Sequence, residues 1–551
     1  MLPLLFFFCG AFLFADPFTM ISAGDPLLED LRSVVRFSGK SFLSLTPPLS
    51  RDEVIAILDE IDPNSLPEPE RLRYNRVFEN LFPALTYDSP EFAAAIHLHT
   101  ALEVRFRSNT DIPWLKKDNT NQALLGIPIH LFFTNRVELF FEPQLAADPW
   151  YYSHPVSSWG HNVPWESARF DLNVPLRAFI ATGGSWWNFQ LGRDKLSFGP
   201  GRTGNLAVSD NPDYYDFARL SFFSRMFKYS VLVSQMPLAV IGQDGKSLVE
   251  DPDILIKDTS EPDSKYLTET MNRYFYLHRF DIKPSNKFSI GLSEGVMIGN
   301  APLELRYLNP VMVFHSFFAW KDYPKWGNAE GDMIGSLLSL DVEWAFIPGW
   351  ALYGQMVMNE FSTPYERNIA ADLPPSGMGY LLGAEYVFDR SGWSLSCFAE
   401  LVYTDPFLYT LSSPFGSMIW MRRSSDMGNK DLRYAWFGHG EGRDMFLAAL
   451  GVSAVTEKLS LSANLSVKLQ GEHKQAGEYG AWDWDTKHSS QTSPSGTPVI
   501  GTRLLLGAGY KFLSSLTVSG HLGGTALFDA DHIKGESKYG IEAGLKAAYY
   551  F

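Results

Sequence analysis

Arg193, Asp194, Lys195, Arg202, Asn205, Ser209 and Asp210 crowd into one stretch, LGRDKLSFGPGRTGNLAVSD, with glycines flanking a proline at its centre and Arg219 following. Such a stretch could cradle phosphate, support catalysis or bind a polyhydroxylated ligand. The phosphate reading fails. A P-loop requires G-x-x-x-x-G-K-[ST], and here Gly199 leads to Gly204 followed by Asn205. A second cluster, PLELRYLNPVMVFHSFF, sets Glu304, Arg306, Asn309 and His315 among Tyr307, Phe314, Phe317 and Phe318. Charged groups between rings suit a sugar: rings stack on its apolar faces while carboxylates and guanidinium groups bond its hydroxyls. The plainer alternative is a folded-in loop braced by Arg–Asp pairs that shape a constriction.

Catalysis is poorly served. His315 adjoins Ser316, but neighbours on an extended chain point to opposite faces, so the imidazole cannot serve that hydroxyl. His97 and His99 share a face, yet no third ligand in that segment completes a metal site. The expectation is no catalytic residue, no metal and no cofactor.

Composition says what could hold these clusters. Aromatic residues make up 15% of 551, as 41 Phe, 24 Tyr and 15 Trp, yet no internal apolar run reaches 18 residues. The longest, YLNPVMVFHSFFAW, is interrupted by Asn309, Pro310 and His315. Helical membrane spans are excluded, whereas aromatic girdles at both interfaces are expected of a transmembrane barrel. The net charge of −16 argues against nucleic acid, whose affinity rests on Lys and Arg neutralising phosphates. Of the two cysteines, Cys9 falls in the N-terminal apolar segment and Cys397 is left alone, so no disulfide is expected in the mature chain. MLPLLFFFCGAFLFADP reads as a secretory signal within residues 1–23, cleaved after Ala15 or Ala23.

The next segment, 24–90, is helical. Leu27, Leu31, Val34 and Val35 repeat at helical spacing, as do Val54, Ile57, Leu58 and Ile61, and then Tyr74, Val77, Phe78 and Leu81. Ser50 and Glu53 form a capping box. Three short amphipathic helices make a small periplasmic bundle that needs an apolar surface to rest on.

From about residue 91 to 551 the period changes to two. In KLSLSANLSVKLQ, Leu459, Leu461, Ala463, Leu465, Val467 and Leu469 oppose Ser460, Ser462, Asn464, Ser466 and Lys468. WSLSCFAELVY and the C-terminal strand ending at Phe551 do the same. About eighteen such segments begin near residues 95, 124, 137, 168, 186, 216, 227, 272, 288, 333, 350, 380, 393, 445, 458, 503, 516 and 538. Their length approaches the 9–11 residues of a tilted membrane strand. A large soluble β-sandwich is the alternative. Short links (TNR, TGGS, IPGW, DRSG, TEK, LSS) alternate with long ones, as periplasmic turns alternate with extracellular loops in outer-membrane barrels. Parity places 197–215, 237–271, 302–332, 411–444 and 471–502 outside the cell, and makes the opening motif a rising strand, an extracellular turn and a return.

The motifs LGRDKLSFGPGRTGNLAVSD with DFARLSFF, LELRYLNPVMVFHSF with EGDMIGSLLSLDVEW, and WFGHGEGRDMFLAALGV occur in this order across most of the chain. With SLTPPLSRDEVIAIL before them, they resemble the Wzi family of outer-membrane capsule-assembly proteins. The resemblance implies an eighteen-stranded antiparallel barrel with an N-terminal helical bundle and lectin-like, non-catalytic binding of exported capsular polysaccharide. The expected glycan-binding residues are Arg193, Asp194, Arg202, Asn205, Asp210, Glu304, Arg306, Asn309 and His315. The expected partners are surface or capsular polysaccharide, outer-membrane lipid, and the barrel-assembly machinery through Phe551. The competing function is a porin or selective solute channel.

Overall fold

The computed structural model describes residues 17–115, 123–146, 158–163, 176–237, 272–299, 302–309, 314, 334–360, 377–410, 416–425, 430–473 and 493–551. Three helices come first: α1 (Pro26–Phe37), α2 (Arg51–Leu58) and α3 (Glu68–Asn80). Asp25 caps α1 by accepting from Leu27 N, and the Ser50–Glu53 capping box opens α2. Leu31, Val34, Val35, Val54, Leu58, Ile61, Val77 and Leu81 form the bundle's own core.

The rest is a closed antiparallel barrel whose first three staves are each interrupted. They are β1 (Phe92–Ile96, resuming His99–Arg107), β2 (Leu125–Gly126, resuming Ile129–Phe133) and β3 (Val137–Phe141, resuming Gln144–Leu145). Continuous staves follow: β4 (Ala178–Gly184), β5 (Trp187–Asp194), β6 (Tyr215–Phe223), β7 (Phe227–Pro237), β8 (Asn272–Ser285) and β9 (Phe288–Gly299). Next are β10 (Ile334–Ile347), β11 (Trp350–Glu360), β12 (Gly377–Arg390), β13 (Trp393–Thr404), β14 (Met445–Val455) and β15 (Leu459–Gln470). The last are β16 (Val499–Lys511), β17 (Leu516–Phe528) and β18 (Ser537–Tyr550). Pairing of β18 with β1, from Glu542↔Arg107 to Tyr550↔His99, closes the sheet. Eighteen staves are therefore present among the described residues, as the alternation predicts, with the short strands Tyr87–Asp88 and Trp159–His161 added beside β1. The fourth begins at Ala178, ten residues later than the sequence indicates, with residues 164–175 outside the described ones.

Outward positions form the membrane belt. Leu191, Leu292, Leu382, Leu450, Leu522 and Leu545 are exposed there, and near the short turns Trp350 stacks on Tyr386 at 4.5 Å and Tyr386 on Phe388 at 4.8 Å. Inward positions are polar, and they receive the bundle. Arg36 bonds Glu343 of β10 and Glu385 of β12; Glu53 meets Lys228 of β7; Lys283 of β8 reaches Glu60; Ser394 of β13 donates to Glu70. The expected apolar seat is thus corrected. The bundle keeps its apolar residues to itself and docks inside the barrel through ion pairs, because the wall facing the lumen carries polar residues.

Residues 17–23 belong to this packing. Met20–Ile21 pairs with Leu49–Ser50, and Phe18, Met20 and Ala23 are buried.

Candidate functional site

The first motif leaves the wall early. β5 and β6 have 8 and 9 residues against 14 in β8, β10, β12 and β18, so the connection between them leaves the wall after a short climb. It also carries Leu196, Phe198, Leu206, Ala207 and Val208, which need a dry environment. All five are buried in a lumen core with Tyr353, Val402, Tyr409, Trp420 and Phe437. The extracellular turn expected at 197–215 is corrected accordingly: apolar content turns this loop inward, where it plugs the barrel. The Ile419–Ser425/Lys430–Trp436 hairpin from the 411–444 connection contributes Ile419, Trp420 and Trp436 to the same core.

Polar residues of the motif fasten this plug. Asp194 is fully buried and accepts from Ser22 Oγ at 2.5 Å, Arg177 Nε at 2.9 Å, Gln190 Nε2 at 3.2 Å and its neighbour Lys195 N at 2.8 Å. Asn205 accepts from Gly201 N at 2.8 Å and donates to Ser197 Oγ at 2.9 Å. Glu400 of β13 is the main clamp, accepting from Arg202 N at 2.7 Å, Thr203 N at 2.9 Å, the Thr203 hydroxyl and Tyr353 OH at 2.9 Å. Arg202 donates to both oxygens of Glu29 at 2.9 and 2.7 Å. Burial opposes its charge, but the Glu29 and Glu385 carboxylates raise its pKa above the ordinary arginine value. Asp210 is half-buried beside the Gly24 turn.

Arg193 goes the other way. It lies opposite Asp216 in the β5–β6 register and bonds it at 2.8 and 2.9 Å. Alternation puts this pair on the outward face near the end of both strands, 27% and 43% exposed, with the Arg193 guanidinium 3.8 Å from the Tyr214 ring centroid.

The second motif is also on the outer side. Along β8, Arg279 and Asp281 face the lumen and pair with each other, so Tyr276 and His278 face outward. Residues 302–309 and Phe314 cover them: Glu304 N donates to Tyr276 OH at 3.0 Å, His278 Nε2 lies 3.0 Å from Tyr307 O, and Phe314 N donates to outward Glu294 at 2.9 Å. Polar His278 and Glu294 would otherwise meet lipid, which explains the cover. Glu304 pairs with Arg306, Arg306 is 42% exposed, and Asn309 is exposed. His315 lies outside the described residues. The two motifs therefore do not converge on one lumen mouth. One is split between plug and outer rim, and the other is a saddle on the outer wall.

Sequence reasoning passed over Glu29, Arg32, Arg36, Glu343, Glu385 and Glu400. The only available signal was acidic residues at inward positions of β10, β12 and β13. Among the described residues no group of three or more His, Cys, Asp or Glu is placed to hold a metal ion.

A closed barrel of eighteen antiparallel staves, apolar outside and plugged by its own loop and helices, defines an outer-membrane β-barrel protein. The family model for capsule assembly protein Wzi matches residues 100–512, and the chain belongs to that family. The fold is similar to that of Wzi of Escherichia coli, described as an outer-membrane protein involved in group 1 capsule assembly and a carbohydrate-binding β-barrel. The two share 15% identity and a TM-score of 0.56 over 96% of this chain and 98% of that one. OccD1 (OprD) gives 9% identity and a TM-score of 0.39 over 83% of this chain and 95% of that one. The channel DcaP of Acinetobacter baumannii gives 9% identity and a TM-score of 0.37 over 85% of this chain and 100% of that one. No curated protein matches the sequence.

Proposed function

We propose that this protein is exported to the outer membrane, binds surface polysaccharide without catalysis, and helps organise capsule or glycan attachment. Membership of the Wzi family over residues 100–512 carries the reading. The plug supports it, since a lumen crossed by an apolar core offers surfaces rather than a free pore. The E. coli Wzi description as carbohydrate-binding agrees.

Sugar contact is assigned to the nominated residues that keep accessible polar atoms on the outer rim. These are Arg193 with its partner Asp216, and Glu304, Arg306 and Asn309, with His315 beyond them in sequence. The rings of Tyr214 and Tyr307 brace them. Asp194, Asn205 and Asp210 position the plug on which the rim rests, while Arg202 faces the interior. The leader ends at Ala15 in this reading, because residues 17–23 are packed within the fold. The helical segment 24–90 acts as an internal plug on the periplasmic side, 91–551 is the barrel, lipid contacts the outward belt, and Phe551 presents the chain to the assembly machinery.

The test is a glycan array probed with purified protein, alongside single-channel recording in planar bilayers. Binding that Arg193→Ala and Arg306→Ala abolish supports the assignment. Steady ohmic conductance with no glycan signal would favour the porin reading instead.

A further inference from the structure

The bundle fills only one side of the lumen. Its ion pairs reach β7, β8, β10 and β12 and a hydrogen bond from Ser394 reaches β13, whereas the inner face of β14–β17 has no ion pair to it among the described residues. That wall is also unusually flat. Inward glycines let neighbouring side chains lie across them: Phe398 over Gly451, Ser462 over Gly507 and Ser460 over Gly509. A Cβ at Gly507 would come within 2.5 Å of Ser462 Oγ, and one at Gly509 within 2.7 Å of Ser460 Oγ. The result is space where side chains would otherwise fill the barrel.

The groups facing that space are arranged in rungs. Glu385, Phe398, Gly451 and Asn464 are successive register partners across β12–β15. One step nearer the short turns come Ser396, Ser453, Ser462, Gly507 and His521, and beyond them Ser460, Gly509 and Ser519. Ser460, Ser462 and Asn464 are solvent-exposed. Opposite them, from α1 and the plug loop, stand Glu29 and Arg202, with side chains 62% and 17% exposed and the Arg202 guanidinium 5.4 Å from the Phe398 ring centroid. The cleft is roofed on the long-loop side. There Glu441 binds Lys468 at 2.6 Å and Arg503 at 3.5 Å, and Leu115 N donates to Glu542 at 2.7 Å. At the short-turn end Lys511 and Ser460 are exposed.

We infer that this cleft is a second saccharide site, entered from the periplasmic side and selective for neutral, hydroxyl-rich chains. A ring edge, an amide and a row of hydroxyls offer stacking and both donor and acceptor bonds. Glu29 and Arg202 offset each other's charge while leaving a guanidinium edge and a carboxylate for bidentate contact. The site shares no residue with the outward rim assigned above and stands or falls independently of it.

The test uses the full-length protein in detergent micelles, in a Cys397→Ser background carrying Ser462→Cys. A small maleimide should label Ser462→Cys readily and a buried control, Ser339→Cys, far more slowly. Maltohexaose, cellohexaose and chitohexaose are the probes, and at least one should slow labelling of Ser462→Cys severalfold. Phe398→Leu and, separately, Asn464→Ser should remove that protection in proteins that remain heat-modifiable on gels, while Arg193→Ala should leave it intact. Failure to label, or labelling that none of the three sugars slows, would overturn the site. Protection by a hyaluronan hexasaccharide alone would overturn the neutral class.

Discussion

Arg36 at the end of α1 and Glu343 on the inner face of β10 form a two-bonded ion pair, 2.6 and 2.9 Å long, with the Arg36 side chain wholly buried. Glu385 takes the remaining Nε at 2.9 Å and also receives Arg32, so Arg36 by itself connects the helical plug to two staves of the wall. Breaking such a pair leaves a buried charge without its partner, typically at a cost of about 3–5 kcal/mol. Arg36→Ala should therefore release the bundle. The expected signs are protease cleavage within α1–α3 and intermittent conductance in planar bilayers. Unchanged protection and silent bilayers would show that the pair does not hold the plug.

Two carboxylates of the bundle should give opposite pH responses. Burial pushes Glu53 upward, but Lys228 and Arg219 outweigh it and hold its pKa below the usual 4.5. Its stabilisation is thus present above pH 4.5 and lost as pH falls through the depressed folded value. For Glu70 burial prevails over Ser394 and Arg73, and its pKa is raised above 4.5. That group stabilises the fold as pH drops through the raised value, with the gain complete below 4.5. Near-UV circular dichroism melts against pH should show Glu70→Gln flattening the rise and Glu53→Gln lowering stability at neutral pH. The same profile in both variants would contradict the assignment.

Glu400 holds the plug loop through two backbone N–H groups and a hydroxyl. Glu400→Leu orphans these donors, and each buried unsatisfied group costs about 1–3 kcal/mol. The loop between Lys195 and Asp210 should become susceptible to proteolysis while the barrel's heat-modifiability persists. A resistant loop would mean that the apolar core alone retains it.

Arg193 and Asp216 are partly exposed, so removing either should change stability by only about 0–1 kcal/mol. On the proposed function the same substitutions abolish glycan binding. Loss of binding together with a large fall in melting temperature would reassign the pair to bracing the rim.

Phe551 is 69% exposed and makes one backbone bond, to Leu98 O at 2.8 Å. Its deletion should barely alter the folded barrel. If the assembly machinery reads this residue, insertion in cells should fall, measured as outer-membrane yield against periplasmic degradation. Equal yields would remove Phe551 from recognition.

Much of this architecture was legible in order along the chain. Alternation marked the staves because side-chain direction on a strand has period two, and the capping box at Ser50–Glu53 marked α2 because it is a local device. Short and long links told the two ends of the barrel apart. What alternation cannot encode is where a long connection goes after leaving the wall. Leu196, Phe198 and Leu206 carried a hint, since apolar residues seek burial, yet a lumen as their destination exists only once β18 meets β1. Residues 302–309 took the opposite side because outward His278 and Glu294 needed covering, a demand created by neighbours in the sheet. Arg36 finds Glu343 across 307 residues, and Arg202 finds Glu29 across 173. The sequence by itself determined the staves, their number and the amphipathic helices, all set by short-range periodicity. Only the closed tertiary structure decided which charges met and which side of the wall each motif took, because those depend on partners distant in the chain.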